Sequence, residues 1–202
     1  MKFLKIDFQQ EEEEEISLWY KMLEGNVVCY EQLIKRTYNL LFQYGCRFSS
    51  DREMLKDCIQ DVFLEIWERR TMLNQQIPPR AYLLASLRRR VHRVMQQNRL
   101  QTKDDFENSI SDFNVAFSAE QLLIQSEQDQ QLAKRIALLL NELPRRQQEA
   151  IFLRFFNDLD RDEIANIMDI HPQSVSNLLQ SAFRSIKMQW KTITLLIYML
   201  GF

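Results

Sequence analysis

Polar side chains that could read DNA recur at helical spacing near the end of the chain. Between positions 173 and 184 they alternate with apolar residues every three to four positions, which predicts an amphipathic helix. The polar face of that helix carries Gln173, Ser174, Ser176, Asn177, Gln180, Ser181 and Arg184. Amide, hydroxyl and guanidinium groups bond to base edges, and a helix fits a major groove about 12 Å wide. The spacing therefore predicts a helix that reads duplex DNA.

The residues before this helix predict the element that would position it. Asp160 and Glu163 have the spacing of a capping box, which starts a helix. Ala165 is small enough for two helices to cross closely, and a three-residue turn begins at Asp169, a position that commonly holds Gly. Pro172 suits the first position of the next helix, because its missing N–H costs nothing there. This order predicts a helix-turn-helix; the alternative is an ordinary helical hairpin with a polar surface.

A second cluster of candidate site residues is basic and lies on a helix predicted over residues 80–98. Its apolar stripe consists of Leu84, Leu87, Val91, Val94 and Met95. No acidic residue separates its cations, which are Arg80, Arg88, Arg89, Arg90, Arg93 and Arg99. Such a face suits a phosphate backbone, and Tyr82 and His92 could stack on an unpaired base. The alternative is a basic face that contacts only solvent.

A third cluster places one leucine among acidic and amide side chains, on a helix predicted over residues 52–70. The core stripe of this helix is Leu55, Ile59, Val62, Phe63 and Ile66. The opposite face carries Asp57, Gln60, Asp61, Leu64, Glu65 and Glu68. The residues allow two interpretations equally. One is a solvated acidic face with a single leucine, and the other is a docking site for a partner helix with basic residues.

Several function classes have no support in the sequence. Cys29, Cys46 and Cys58 form no CxxC pair, and His92 and His171 have no acidic or cysteine neighbours at ligand spacing, so we expect no metal site. No glycine-rich phosphate loop or nucleophile motif is present, so we expect no enzyme activity, cofactor or small-molecule substrate. No apolar run approaches the length of a membrane span, and no signal peptide is recognisable at the N-terminus, so we expect a cytoplasmic protein.

Charge is unevenly distributed along the chain and suggests its domain organisation. Residues 28–99 hold 13 basic and 7 acidic side chains, a net charge of +6, in a chain whose net charge is −2. Few glycines and prolines favour helices. We predict an all-α protein with a first domain over 16–99, a flexible acidic linker over 100–126, a second domain over 127–192 and an apolar tail over 193–202. The glutamates at 11–15 are expected to be a solvated tail or a helix start before a short helix over 16–23.

At this point the residues resemble a known family. The segments DCIQDVFLEIWERR (57–70), RAYLLASLRRRVHRV (80–94) and the helix-turn-helix region (140–187) follow one another in this order, with the acidic segment before the last. The order resembles that of bacterial RNA polymerase sigma factors of the two-domain extracytoplasmic-function type, over about residues 16–190. The run PQSVSN (172–177) is similar to recognition helices of such factors from Bacteroidetes-like bacteria.

The resemblance implies a role for each cluster. The acidic face around Leu64 would bind the coiled coil of the largest subunit of core RNA polymerase, which favours the docking interpretation. Residues 71–99 would melt and hold the minus-ten promoter element, with Arg80, Tyr82, Arg88, Arg89, His92 and Arg93 as its DNA-binding residues. Residues 173–184 would read the minus-thirty-five element. An anti-sigma factor would be a further partner.

Two alternatives remain at this stage. The first is a helix-turn-helix regulator that is not a polymerase subunit, although the first domain offers neither a ligand pocket motif nor a phosphoacceptor. The second is a helical adaptor that binds only proteins, against which the basic cluster argues. We therefore predict a sigma factor that binds core polymerase and directs promoter recognition, with both domains placed on DNA together.

Overall fold

In the computed structural model, the described backbone covers residues 2–74, 77–102 and 127–199, and side chains are described within 13–74, 77–98 and 131–190 except at 133. These ranges hold α-helices and no strand, which confirms the predicted all-α class. The chain divides into an N-terminal and a C-terminal compact unit. The helices are α1 (Lys2–Leu23), α2 (Val27–Gly45), α3 (Arg52–Arg69), α4 (Pro79–Thr102), α5 (Glu127–Asn141), α6 (Arg145–Ile151), α7 (Arg161–Met168) and α8 (Pro172–Met199).

Short polar side chains start the helices of the first unit. Asn26 accepts a hydrogen bond from the Cys29 N–H at 3.0 Å at the start of α2. Asp51 accepts one from the Met54 N–H at 3.0 Å at the start of α3. Both caps satisfy donors that have no partner within their helix. They explain why the boundaries of α2 and α3 follow the breaks in the sequence pattern.

The core of the first unit is formed by one face from each of its four helices. The predicted stripe of α3 is buried at every position, from Leu55 to Ile66. On α4 the stripe is buried through Val91, whereas Val94 and Met95 are only half-buried. α3 therefore presents its acidic face, and α4 part of its basic face, outwards.

The glutamates at 11–15 lie inside a long first helix, and one of them, Glu15, is buried. A single helix, α1, runs through them from Lys2 to Leu23, so the short helix predicted over 16–23 is the end of a longer one. Glu15 is 4% exposed and bonds to Arg80 through both of its oxygens, at 2.6 and 2.8 Å. Glu14 pairs with Arg36 on α2. The expectation of a solvated tail is wrong at Glu15, whose carboxylate is buried against Arg80, whereas Glu14 remains exposed in its pair with Arg36.

The second unit contains α5, α6, α8 and most of α7, with one π-helical turn at Phe152–Phe156 after α6. Its core includes Leu139, Leu143, Leu153 and Ile164. Phe155 and, on α5, Leu132 are exposed although both are large apolar residues. The π turn adds a residue to the helical repeat and so rotates the residues after it relative to the α-helical pattern.

Two predicted segments extend beyond the described residues. The linker over 100–126 is described only for the backbone of its first residues, at the end of α4. The backbone of α8 continues to Met199, so the last helix extends into the predicted tail. The side chains of that tail lie outside the described residues. None of the described helices is both long and apolar enough to cross a membrane.

Candidate nucleic-acid and protein interfaces

The start of α7 is fixed by the predicted capping box. The Asp160 carboxylate accepts hydrogen bonds from the Asp162 and Glu163 N–H groups, both at 2.8 Å. The Glu163 carboxylate accepts one from the Asp160 N–H at 2.7 Å. These bonds satisfy donors at both sides of the cap. The prediction made from the two residue types is confirmed.

The turn between α7 and α8 is left-handed at Asp169, with φ 54° and ψ 55°. The N–H groups of Asp169 and Ile170 both donate to the Ala165 carbonyl, which ends α7. Ala165 is buried, as expected for a small residue at a close helix contact. α8 then begins at Pro172. The left-handed Asp169, the bonds to Ala165 and the start of α8 at Pro172 together form the predicted helix-turn-helix.

The outer face of α8 holds the side chains that the sequence assigned to base reading. Val175 and Ala182 are buried on the inner face. Of the seven predicted positions, two are half-buried, Ser174 and Ser176. The other five are exposed: Gln173, Asn177, Gln180, Ser181 and Arg184.

Hydrogen bonds already order part of this face. The Gln173 amide donates to the Asn177 amide oxygen at 3.2 Å, one turn away on the helix. The Ser176 hydroxyl donates to the Pro172 carbonyl at 3.4 Å. Ser181 accepts from the Gln147 amide of α6 at 3.2 Å. Four amide and guanidinium side chains therefore offer the longest reach towards a groove: Gln173, Asn177, Gln180 and Arg184.

The basic cluster of α4 separates into exposed and engaged arginines. Arg89 and Arg93 are exposed on the surface of the unit. Arg90 pairs with two carboxylates of α3, Asp61 at 2.8 Å and Glu65 at 3.4 Å. Of these three described arginines, Arg89 and Arg93 are exposed and pair with no carboxylate, whereas Arg90 is engaged by α3.

Arg80 and Arg88 lie further inside the unit than the sequence pattern suggested. The Arg80 side chain is 18% exposed in its ion pair with Glu15. Arg88 is 8% exposed. Neither side chain presents its guanidinium freely to solvent, so their assignment to DNA binding stays a prediction without support from exposure.

The two aromatic side chains expected to stack on a base are packed against other rings. Tyr82 is half-buried, with its ring centroid 5.6 Å from that of Trp19 on α1. His92 is half-buried and meets the Phe48 ring edge-on at 5.2 Å. Each retains only part of its surface for a base.

The acidic face of α3 has the predicted composition and geometry. Leu64 is 57% exposed, a large value for a leucine on a helix whose other face is core. Around it Asp57, Gln60, Asp61 and Glu68 are exposed and Glu65 is half-buried. Arg69 and Arg90 pair with members of this set, so part of the charge is compensated within the unit. An apolar side chain with a charged rim is available on this surface for a partner.

The three thiols differ in exposure. Cys29 and Cys58 are buried and Cys46 is exposed. Burial raises the pKa of the Cys58 thiol, which keeps it protonated and unreactive near neutral pH. Within the described ranges, no group of His, Cys, Asp and Glu side chains could hold a metal ion.

Comparisons with known families decide between the alternatives. The family model described as sigma-70 region 2 matches residues 33–100, and sigma-70 region 4 matches residues 133–186. The chain belongs to the sigma-70 family. It is therefore a sigma factor, which binds core RNA polymerase and promoter DNA and directs transcription initiation, and the interpretation as an independent helix-turn-helix regulator is not needed. A comparison with curated proteins finds no match.

Solved structures show the same fold. The chain is similar to CnrH in complex with the cytosolic domain of CnrY, with 17% identity and a TM-score of 0.57, covering 89% of this chain and 98% of that one. It is also similar to the sigma factor RpoE of Bartonella quintana, in complex with the anti-sigma factor NepR, with 17% identity and a TM-score of 0.55. That match covers 80% of this chain and 96% of that one. Regions 2 and 4 in one fold of this size agree with the predicted extracytoplasmic-function type.

Two residues of α1 have contacts that residue types and spacing did not predict. Glu15 and Trp19 contact Arg80 and Tyr82, two of the positions predicted for the minus-ten element. Glu15 and Trp19 are four residues apart and so lie on one face of α1. That spacing was visible in the sequence, but the run of glutamates before it resembled a solvated tail.

Proposed function

We propose that three faces of the chain divide the work of the sigma factor. The acidic face of α3 binds core polymerase, the outer face of α4 with the segment before it holds the melted minus-ten element, and the outer face of α8 reads the minus-thirty-five element. The proposal rests mainly on which side chains are exposed. The exposed face of α3 is acidic around one leucine, which suits a basic protein partner, and the exposed face of α4 is basic, which suits DNA phosphates. The residue ranges 16–99 and 127–192 are the proposed domains.

Docking by α3 is supported by charge and by the one large apolar side chain on that face. Leu64 would enter a small apolar site on a basic coiled coil of the largest polymerase subunit, with Asp57, Asp61 and Glu68 around it. Apolar contacts at the centre of an interface contribute most of its affinity, and the charged rim contributes mainly to the association rate.

DNA contact by α4 is supported by Arg89 and Arg93. They lie four residues apart, one helical turn, at the spacing that places two cations on one side of a helix. Their guanidinium groups would neutralise phosphates of the non-template strand. Among the described side chains of α8, Arg184 and Lys187 are the exposed cations, so this face would neutralise few phosphates. Core polymerase would then be needed to bring both domains to one promoter.

Further partners and the location follow from this assignment. An anti-sigma factor is proposed as a regulator, since the similar RpoE structure contains one. The chain would act in the cytoplasm, where polymerase and the chromosome are. We propose no catalysis by the chain itself and no cofactor or small-molecule substrate.

The docking proposal is tested by Leu64→Ala. The substitution removes an exposed side chain, so the unfolding free energy should hardly change, whereas the Kd for core polymerase should rise about tenfold, since tenfold corresponds to about 1.4 kcal/mol. The measurement is a titration of core polymerase with labelled sigma factor, followed by run-off transcription from genomic DNA fragments.

Val28→Ala is the matched control, because Val28 is 63% exposed on α2 in the same unit. It should leave the Kd unchanged. Equal Kd values for Leu64→Ala and the unmodified chain, at equal helicity, would show that α3 does not dock through Leu64.

A further inference from the structure

The end of α3 and the start of α4 are each held by contacts with other helices of the first unit. At the α3 end, the Arg70 guanidinium lies 4.5 Å from the centre of the Trp67 ring and donates to the Trp67 carbonyl at 2.7 Å. Tyr30 of α2 packs on that ring at 4.8 Å and donates its hydroxyl to the Phe63 carbonyl at 2.8 Å. The end of α3 is therefore fixed to α2.

The α4 end is anchored to α1 by two side chains. Glu15 receives both hydrogen bonds of the Arg80 fork while being 4% exposed, so the ion pair is largely shielded from water. One turn later, Trp19 is 1% exposed and packs on Tyr82 at 5.6 Å. The indole N–H of Trp19 has no hydrogen-bond partner, so this ring is held by packing alone.

An ion pair of this kind fixes geometry more than it stabilises the fold. A bidentate pair between guanidinium and carboxylate restricts both distance and orientation. Burial offsets much of its Coulomb energy by the desolvation of both ions, so its net stabilisation is small. Its evident consequence is that the first turn of α4 keeps one position relative to α1.

We propose that α1 is a positioning element for promoter melting, in which Glu15 and Trp19 hold Arg80 and Tyr82 so that α4 meets the minus-ten element in one geometry. Arg80 is then a positioning residue rather than a phosphate contact. The match to region 2 begins at residue 33, so α1 lies outside it. The inference rests on the proposed role of α4 in holding the minus-ten element.

The test measures the rate of open-complex formation by holoenzyme, using permanganate reactivity of unpaired thymines. Glu15→Gln and Arg80→Gln should each slow promoter opening about tenfold, with an unchanged Kd for core polymerase. Since both remove the same contact, the double variant should be no slower than the slower single variant.

Glu14→Gln is the matched control on the neighbouring residue. It breaks the pair with Arg36 of α2 and leaves α4 untouched, so the opening rate should not change. Arg80→Lys keeps the charge but loses the planar fork, and should give an intermediate rate even if a glutamine variant folds poorly.

Three results would overturn the inference. The first is slow opening by Arg80→Gln with a normal rate for Glu15→Gln, which would make Arg80 a direct DNA contact. The second is a normal opening rate for Arg80→Lys. The third is a lower unfolding temperature for the variants with unchanged opening rates, which would leave the pair a purely structural role.

A further variant distinguishes a failure of the proposed DNA-binding role of α4 from a failure of the positioning role of α1. The double variant Arg89→Ala with Arg93→Ala removes the proposed phosphate contacts and leaves Glu15 and Arg80 intact. If this variant opens promoters normally, the role of α4 is wrong. If it opens them slowly while Glu15→Gln does not, only the positioning role of α1 is wrong.

Discussion

Arginines along α4 illustrate how burial assigns different roles to one residue type. Arg80 and Arg88 lie four residues before and after Leu84, so they share its side of the helix. Arg89 and Arg93 lie away from that side and are exposed. A search for basic residues groups all four together, whereas the helical register separates them. The side chains to vary for direct DNA contact are therefore Arg89 and Arg93.

Base reading at single-residue scale is best tested at Asn177. Its amide can pair bidentately with adenine, and in the free protein it accepts a hydrogen bond from Gln173 that orients it. Asn177→Ala should cost about 1–3 kcal/mol at one promoter position. The measurement is holoenzyme affinity for promoters in which each minus-thirty-five base pair is replaced in turn.

The dependence of the affinity loss on promoter sequence identifies the base pair that Asn177 contacts. Once the partner base pair of Asn177 has been replaced, the Asn177→Ala variant should lose nothing further at that position. Gln43→Ala, which removes an exposed amide from α2, is the control and should bind every promoter normally. An equal loss for all promoters after Asn177→Ala would mean that the side chain does not discriminate bases.

At the scale of elements, residue types close together in the sequence predicted the helix-turn-helix, whereas contacts between distant residues could not be predicted. The capping box and the turn involve residues within about ten positions of one another, so residue types and spacing determine them. The pair between Glu15 and Arg80 joins residues 65 positions apart, and only the packing of α1 on α4 brings them together. The same reason explains why the packing of Tyr82 on Trp19 and of His92 on Phe48 could not be predicted from spacing.

The turn of the helix-turn-helix makes a specific prediction about stability. Asp169 has positive φ, a conformation that Gly adopts without steric cost and that costs most other residues about 1–2 kcal/mol. Asp169→Gly should therefore raise the unfolding free energy of the C-terminal unit by up to about 1 kcal/mol, and Asp169→Ala should lower it by about the same amount. Urea unfolding of the whole chain, followed by helicity, measures both.

The control applies the same substitution within a helix. Asp162 lies in the first turn of α7 and is exposed. Asp162→Gly should lower the unfolding free energy, because Gly is unfavourable in helices. If Asp162→Gly and Asp169→Gly change stability in the same direction, the left-handed turn does not govern the effect at Asp169.

At the scale of the whole molecule, charge is concentrated where single-stranded DNA is proposed to bind. The chain has a net charge of −2, yet residues 28–99 carry 13 basic and 7 acidic side chains. Part of that excess is used inside the first unit, since Arg36, Arg80 and Arg90 each pair with carboxylates. Net charge alone therefore overstates the number of cations that can contact phosphates.

The number of phosphate contacts can be measured from the salt dependence of promoter binding. Each phosphate contact adds about 0.7 to the slope of log affinity against log salt concentration for a single strand and about 0.9 for a duplex. Arg89→Ala combined with Arg93→Ala removes two proposed single-strand contacts and should therefore reduce the slope measured for holoenzyme by about 1.4. Lys35→Ala combined with Arg52→Ala removes two exposed cations from α2 and α3, and should leave the slope unchanged. A weaker affinity at an unchanged slope for the first pair would show that Arg89 and Arg93 act other than by neutralising phosphates, because charge removed from a phosphate contact must lower the number of counterions released.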